Sequence, residues 1–393
     1  MQDLESFFGD HINDIIQFRR KLHQLAETAG DEKQTSQTII NFLKETNPDD
    51  IVDNIGGYGL VATYEGEEDG PSVMLRCELD ALPIPESNDL DYNSNDPDTG
   101  HKCGHDGHMS IVCGIAKYLE NHRPEKGNIK LLFQPAEETG QGALRMLDDK
   151  KFEKVEPDYI FGLHNLPGYP KHQIIVRDGV FASASKGFIV RFRGETSHAA
   201  HPEDGRSPAL AMSNLVESLS AIPQFYTALQ FAARVTVIHA KLGEIAFGTS
   251  PGYAEVMATL RTHRNEEMDV LEDKALKIAQ GLAKTYDLKI EHEWTESFNA
   301  TINNHEESNN LVRSVAQKND LELHKKDVPF AWSEDFGHFL AKYDGAFFGL
   351  GSGKQHPQLH ASNYDFPDEI IQTGISMFAG IVNEINGLGA CRT

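Results

Sequence analysis

Apolar residues recur at helical spacing over Leu4–Leu25 and again over Thr35–Thr46. Short apolar runs follow at Leu60–Tyr64 and Val73–Leu79, then a helical pattern at Met109–Leu119 and a strand pattern at Ile129–Phe133. A short helix at Gly142–Leu147 and a strand at Tyr159–Leu163 complete this stretch. Such alternation predicts an α/β fold, a mixed and at least partly parallel sheet flanked by helices. From about residue 186 the order changes. A strand at Gly187–Phe192 and a helix at Pro208–Ile222 precede strands at Val235–Ala240 and Ala254–Leu260, a long helix at Glu266–Tyr286 and a strand at Lys289–Trp294. That β-α-β-β-α-β order is the split arrangement of a small ferredoxin-like domain. Alternation then resumes, with helical patterns at Asn310–Asn319 and Phe336–Leu340, a strand at Ala346–Leu350 and a closing helix at Asp368–Ile385. The pattern therefore predicts one discontinuous domain, residues 1–185 and 296–393, interrupted by an inserted domain at residues 186–295. No internal repeat or low-complexity tract is present.

Length and composition fit this division. A chain of 393 residues exceeds one compact core, and 39% hydrophobic with 24% charged residues is ordinary for a globular protein. No apolar run is long enough for a transmembrane span. The acidic start, Met-Gln-Asp-Leu-Glu, lacks the basic and apolar regions of a signal peptide, which leads us to expect a cytoplasmic protein. A net charge of −24 argues against nucleic acid or an anionic membrane as partner. Four cysteines, Cys77, Cys103, Cys113 and Cys391, are too few for a disulfide framework. Cys77 and Cys113 fall in apolar settings and read as core, whereas Cys103 sits among histidines.

That setting, His101-Lys-Cys-Gly-His-Asp-Gly-His108, is a tight glycine turn before a helix. Cys103 and His105 offer the sulfur and nitrogen donors that zinc prefers. The segment also reads as a polar loop with Asp106 as the helix N-cap. A metal needs about four ligands, so other parts of the chain must contribute. In open α/β sheets, ligands bind beyond the carboxyl ends of the strands. Asp80, Gln134-Pro-Ala-Glu137-Glu138, His164-Asn165 and Leu359-His360 all fall at such ends. Taken singly, His164 reads as a hydrogen-bonded structural residue and the glutamates as solvated surface. Two adjacent carboxylates directly after a buried strand would repel each other, and a cation removes that conflict. One glutamate can then coordinate while its neighbour accepts a proton.

Together with Gly162-Leu-His164, these motifs resemble peptidase family M20, the two-metal aminoacylases and exopeptidases. Within it they resemble the amidohydrolase branch of aminoacylases, hippurate hydrolases and auxin-conjugate hydrolases. The likeness runs through most of the chain: Arg19-Arg20-x-Leu22-His23, Asp80-Ala-Leu-Pro-Ile84, Gly194-x-x-x-His198-Ala-Ala and Ser333-Glu-Asp-Phe336 also match. The resemblance implies two divalent metal ions, zinc or else manganese, cobalt or nickel, held by Cys103, His105, Glu138, His164 and His360, with the Cys103 thiolate as bridge. It makes Glu137 the general base that activates water and later protonates the leaving amine. Asp80 would orient a ligand or the base, with Asp106 and His108 as framework.

It further implies that the inserted domain is a lid through which a homodimer forms, and that His198 reaches the partner subunit's site to stabilise the oxyanion. Arg261 stands where the family binds substrate carboxylate. The asparagine segment that helps it there is replaced here by Gly248-Thr249-Ser250-Pro251, and the Pro-Glu after the first-helix histidine by Ala26-Glu27. The expected activity is hydrolysis of an N-acyl amino acid or similar small amide. A dipeptidase or exopeptidase with the same machinery is the nearest alternative, and a catalytically silent metal-containing binding protein is one from another class. The intact Glu137 and ligand set speak against silence. A thiol-exchange role for Cys103 lacks a Cys-x-x-Cys pair.

Overall fold

The computed structural model describes residues 2–389, so Cys391 lies outside the described residues. The chain divides into two compact units. One comprises the chain up to Phe181, Ile302–Val328 and the chain from Asp335 onward; the other comprises Ala182–Thr301 and Pro329–Glu334.

The first unit is built on a sheet in the order Asp50–Ile55, Gly59–Glu65, Lys126–Gln134, Glu68–Glu78, Tyr159–Pro167, Asp344–Gly353, Ile174–Val176, Leu323–Lys325. The four strands from Lys126–Gln134 to Asp344–Gly353 run parallel. Gly59–Glu65 and Ile174–Val176 each run antiparallel to their central neighbours, so the sheet is mixed. The central strands carry near-continuous apolar runs because helices cover them. Leu75, Leu131, Phe133, Phe161, Leu163, Phe348 and Leu350 share one core with Ile111, Ile115, Ile375 and Phe378 of the helices His105–Leu119 and Ile371–Asn386. Burying each such side chain contributes roughly 1.5–3 kcal/mol. Small residues let the two helices approach closely. A Cβ on Gly114 would lie 2.4 Å from Ile375, and one on Gly374 would lie 2.4 Å from Ile111. This packing anchors the helix whose first turn carries the cysteine–histidine motif.

Two differences from the sequence pattern matter. The strand beginning at Tyr159 continues to Pro167, pairing His164 with Gly349, so His164 lies within the strand and not beyond its end. The short strands Asp50–Ile55, Ile174–Val176 and Leu323–Lys325 went unpredicted. They are brief, and two of them mix exposed polar residues with apolar ones.

In the second unit a four-stranded antiparallel sheet has the order Ala233–Leu242, Tyr253–Thr262, Ala184–Arg193, Lys289–Phe298. Strict alternation along Tyr253–Thr262 buries Ala254, Val256, Ala258 and Leu260. With Phe188, Val190 and Phe192 they make the apolar face against helices Ala209–Tyr226 and Asn265–Thr285, which bring Leu215, Leu219, Leu271 and Ala275. Among the described residues no helix is long and apolar enough to cross a membrane.

Candidate metal centre

Gly104 precedes the helix His105–Leu119 with φ +92°, and a Cβ there would lie 2.6 Å from Asn165 Oδ1. Only glycine suits that turn. Gly104, not Asp106, is therefore the N-cap residue. Asp106 lies inside the first turn, fully buried, and its carboxylate accepts from His23 Nδ1 at 2.8 Å and pairs with Arg19 Nε at 3.4 Å. It fastens this turn to the N-terminal helix.

The turn brings Cys103 and His105 to residues from three other segments: the loop after Lys126–Gln134, the strand Tyr159–Pro167 and the loop after Asp344–Gly353. Cys103 Sγ lies 3.5 Å from His164 Nε2. The donor atoms of Cys103, His105 and His164 lie within 4.8 Å of one another, and so do those of Cys103, Glu138 and His360. Cys103 belongs to both groups. His105 Nε2 is 3.9 Å from both Glu137 Oε2 and Glu138 Oε1, and His360 Nε2 is 3.6 Å from Glu138 Oε2. His360 has φ +65°, and its backbone N–H donates to the Lys102 carbonyl at 2.7 Å, one residue from Cys103.

Backbone carbonyls set both buried imidazoles. His105 Nδ1 lies 2.8 Å from the Asp80 carbonyl, and His164 Nδ1 lies 2.8 Å from the Asn165 carbonyl. A carbonyl only accepts, so each Nδ1 carries a hydrogen and Nε2 is the nitrogen left for a ligand. Asp80 Oδ2 also accepts from the Glu138 N–H at 2.9 Å, touching a second member of the cluster.

The residues present fit a metal. His105 Nε2 is buried without a hydrogen-bond partner, although two carboxylates face it. Burial opposes a charge on His105, yet Asp80, Glu78 and Glu138 together raise its pKa to about 10, so the local field favours positive charge. Burial, and then the carboxylates of Glu138 and Glu137, push the Cys103 thiol well above its usual range. A thiolate here requires cations beside it. Burial and the nearby His108 hold His164 well below the usual range, hence neutral.

Behind the cluster lies a layer in which the sequence marked His108 as framework but left Glu78 and Asp335 without a role. Glu78, fully buried, pairs with Arg76 and lies 2.7 Å from His108 Nδ1, while His108 Nε2 accepts the Asn165 N–H at 3.1 Å. Burial opposes ionisation of Glu78, but Arg76 and His108 hold its carboxyl well below the usual range. Asp335 accepts from Arg76 Nη2 at 2.8 Å, from Gln134 Nε2 at 2.7 Å and from the Ala143 N–H at 2.9 Å. Its own N–H donates to Glu137 Oε1 at 3.4 Å. The signal was present in Arg76-Cys77-Glu78: two charges inside an apolar strand must be paired.

The second unit holds the other two predicted site residues. His198 is exposed in a short ladder, Ser197–His198 with Thr249–Ser250, and its Nδ1 accepts the Ala200 N–H at 3.0 Å. The hydrogen of its neutral ring is thus on Nε2, available to donate. Arg261 Nη1 donates to the Ala331 carbonyl at 2.9 Å and to Ser333 Oγ at 3.1 Å.

Residues 74–384 match the model of peptidase family M20/M25/M40. The chain belongs to this family. Among its relatives, the hippurate hydrolase of Campylobacter jejuni is 30% identical over 364 residues, 92% of this chain and 94% of that protein. The N-acetyl-L-cysteine deacetylase of Bacillus subtilis is 32% identical over 351 residues, 88% of this chain and 82% of the other. A Bacillus subtilis structure described as a dinuclear metal-binding peptidase of the M20 family has a TM-score of 0.79 at 25% identity, covering 96% of this chain and 98% of that one. This M20 protein is a hydrolase acting on C–N bonds, and at the level of the family its chemistry is metal-dependent amide hydrolysis.

Proposed function

We propose that this M20 hydrolase cleaves the amide bond of N-acyl amino acids or similar small amides, releasing a carboxylic acid and an amine. The observation that carries this reading is that Cys103 belongs to two donor groups, one with His105 and His164 and one with Glu138 and His360, while Glu137 stands beside both. Those residues would hold two divalent cations, Cys103 being a candidate ligand in both groups. Zinc suits the mixed sulfur, nitrogen and oxygen set, and manganese, cobalt and nickel accept the same donors. When bound, such cations polarise a scissile carbonyl and acidify water.

Glu137 takes a proton from the attacking water as its oxygen adds to the amide carbon. It hands that proton to the nitrogen as the C–N bond breaks, so one water is consumed and both products leave with their atoms balanced. Asp80 keeps His105 in the ligand tautomer and steadies the Glu138 main chain. Residues 1–185 and 296–393 form the catalytic domain, and residues 186–295 form a ferredoxin-like lid through which a homodimer assembles. His198 donates Nε2–H to the developing oxyanion of the partner subunit's site. The open edge of Ala233–Leu242, exposed Ile238 and fully exposed Ile245 and Phe247 support a self-association surface on this unit. Arg261 binds the substrate carboxylate. The enzyme acts in the cytoplasm, in keeping with free Cys77, Cys103 and Cys113.

A hydrolysis screen of N-acetyl, N-benzoyl and longer N-acyl amino acids, with dipeptides alongside and several added metals, tests the assignment. Turnover of N-acyl amino acids above dipeptides is expected. Preference for dipeptides would overturn the substrate class in favour of a peptidase, and no turnover of any amide would overturn the catalytic reading.

A further inference from the structure

The Glu137-Glu138 pair stands on a turn that needs support. Ala136 has φ +52°, in the left-handed region that a residue with a Cβ rarely adopts. Its carbonyl accepts from the N–H groups of Gln141 at 3.4 Å and Gly142 at 3.1 Å. Its own N–H donates to Glu32 Oε1 at 2.8 Å. That side chain comes from a distant part of the sequence and is fully buried. Glu32 is the N-cap residue of the helix Lys33–Lys44, yet its side chain makes no capping hydrogen bond there. Burying a carboxylate is costly, so a glutamate that does nothing for its own helix calls for another explanation. Its Oε1 is shared between the N–H of Ala136 and that of Gly30 at 2.9 Å.

We propose that Glu32 is a positioning residue for the general base: it holds Ala136 in the left-handed turn and thereby aims the Glu137 carboxylate. The proposal rests on the reading of Glu137 as base. Rotation at Ala136 swings everything that follows it, and Glu137 is the next residue. From the far side the Asp335 N–H donates to Glu137 Oε1 at 3.4 Å, so the base is held at its turn and at its tip. Misplacing a catalytic group by about 1 Å can cost about 100-fold in rate, without a matching loss of substrate binding.

The test compares Glu32→Ala, the double variant Glu32→Ala/Ala136→Gly and the parent enzyme, each loaded with zinc and assayed on N-benzoylglycine and N-acetylated amino acids. For Glu32→Ala we expect kcat per metal-loaded site to fall about 10–100-fold, with KM within about 3-fold and metal content unchanged. Glycine adopts a left-handed turn without strain, so the double variant regains about 5-fold or more of that loss. A residue that only supports the fold would lower the folded fraction and leave kcat per loaded site alone. An unchanged kcat in Glu32→Ala, or a loss that Ala136→Gly does not relieve, overturns the proposal. Should Glu32→Ala not fold, Glu32→Asp replaces it; the carboxylate then sits one methylene short, and the same kcat loss and glycine rescue are required. Full turnover by Glu137→Gln would instead overturn the base assignment itself, and so separates the two failures.

Discussion

The carbonyl of Asp80 and the imidazole of His105 form a 2.8 Å hydrogen bond that turns the His105 Nε2 toward Glu137 and Glu138. The Asp80 carboxylate meanwhile accepts from the Glu138 N–H. One residue thus orients two donors: its carbonyl fixes the His105 tautomer whatever its side chain, while its carboxylate holds the Glu138 main chain and lies 3.4 Å from His105 Nδ1.

Asp80→Ala should therefore keep the His105 tautomer and lose the hold on Glu138. Metal affinity should fall about 10–100-fold, measured by competition with a chelator. Asp80→Asn retains an acceptor oxygen and should lose less. Equal affinity in Asp80→Ala and the parent would show that the carboxylate has no part in the site.

Cys103→Ala should lower metal content at both positions, because the thiol is common to the two donor groups. Metal analysis after dialysis is the measurement. Two equivalents retained per chain would remove Cys103 from the ligand set.

The parts legible in the sequence are those where local chemistry and tertiary environment agree. Buried parallel strands need continuous apolar runs, so Val73–Leu79, Ile129–Phe133 and Ala346–Leu350 stood out, and with them the residues at their ends. Strand ends and a glycine turn singled out Cys103, His105, Glu138, His164 and His360 as candidates, but it was the resemblance to the M20 family that gave them the ligand role. What escaped depends on distant partners. Asp335 meets Arg76, Gln134 and Glu137 only when segments 198 to 259 residues apart are folded together. The backbone geometry of Ala136 has no signature in its side chain, and neither does its bond to Glu32. Asp106 misled for the converse reason. An aspartate at a helix start usually caps it, but here Gly104 takes that position and Asp106 is turned inward to His23 and Arg19.

That inward pair makes stability depend on pH. His23 is fully buried with Nδ1 2.8 Å from Asp106 and Nε2 2.8 Å from Glu86. Burial opposes its charge, but the bonds to Asp106 and Glu86 prevail over burial and Arg19 and raise its pKa to about 9. In the unfolded chain it is about 6.5. A raised folded-state pKa gives stabilisation that is complete below about pH 6.5 and is lost as pH rises through about 9. The stability difference between the parent and His23→Gln should shrink by roughly 3 kcal/mol across that window, read from denaturant midpoints. A difference that stays flat, or grows, would contradict a charged His23.

If His198 acts across a dimer, mixing His198→Ala with Glu137→Gln subunits should restore part of the activity that each variant lacks alone. In such heterodimers one site holds an intact Glu137 and receives an intact His198. Confirmed heterodimers without recovery would place the oxyanion donor elsewhere.

The account turns on Glu137, whose carboxylate lies within 4.8 Å of the donor atoms of His105 and Glu138, one from each donor group. Its amide variant has the same shape and cannot take a proton at neutral pH. The direct measurement is turnover of Glu137→Gln at full metal loading. We predict two equivalents of metal retained and kcat lower by about 100- to 10,000-fold; metal retained with turnover unchanged would contradict Glu137 as the base.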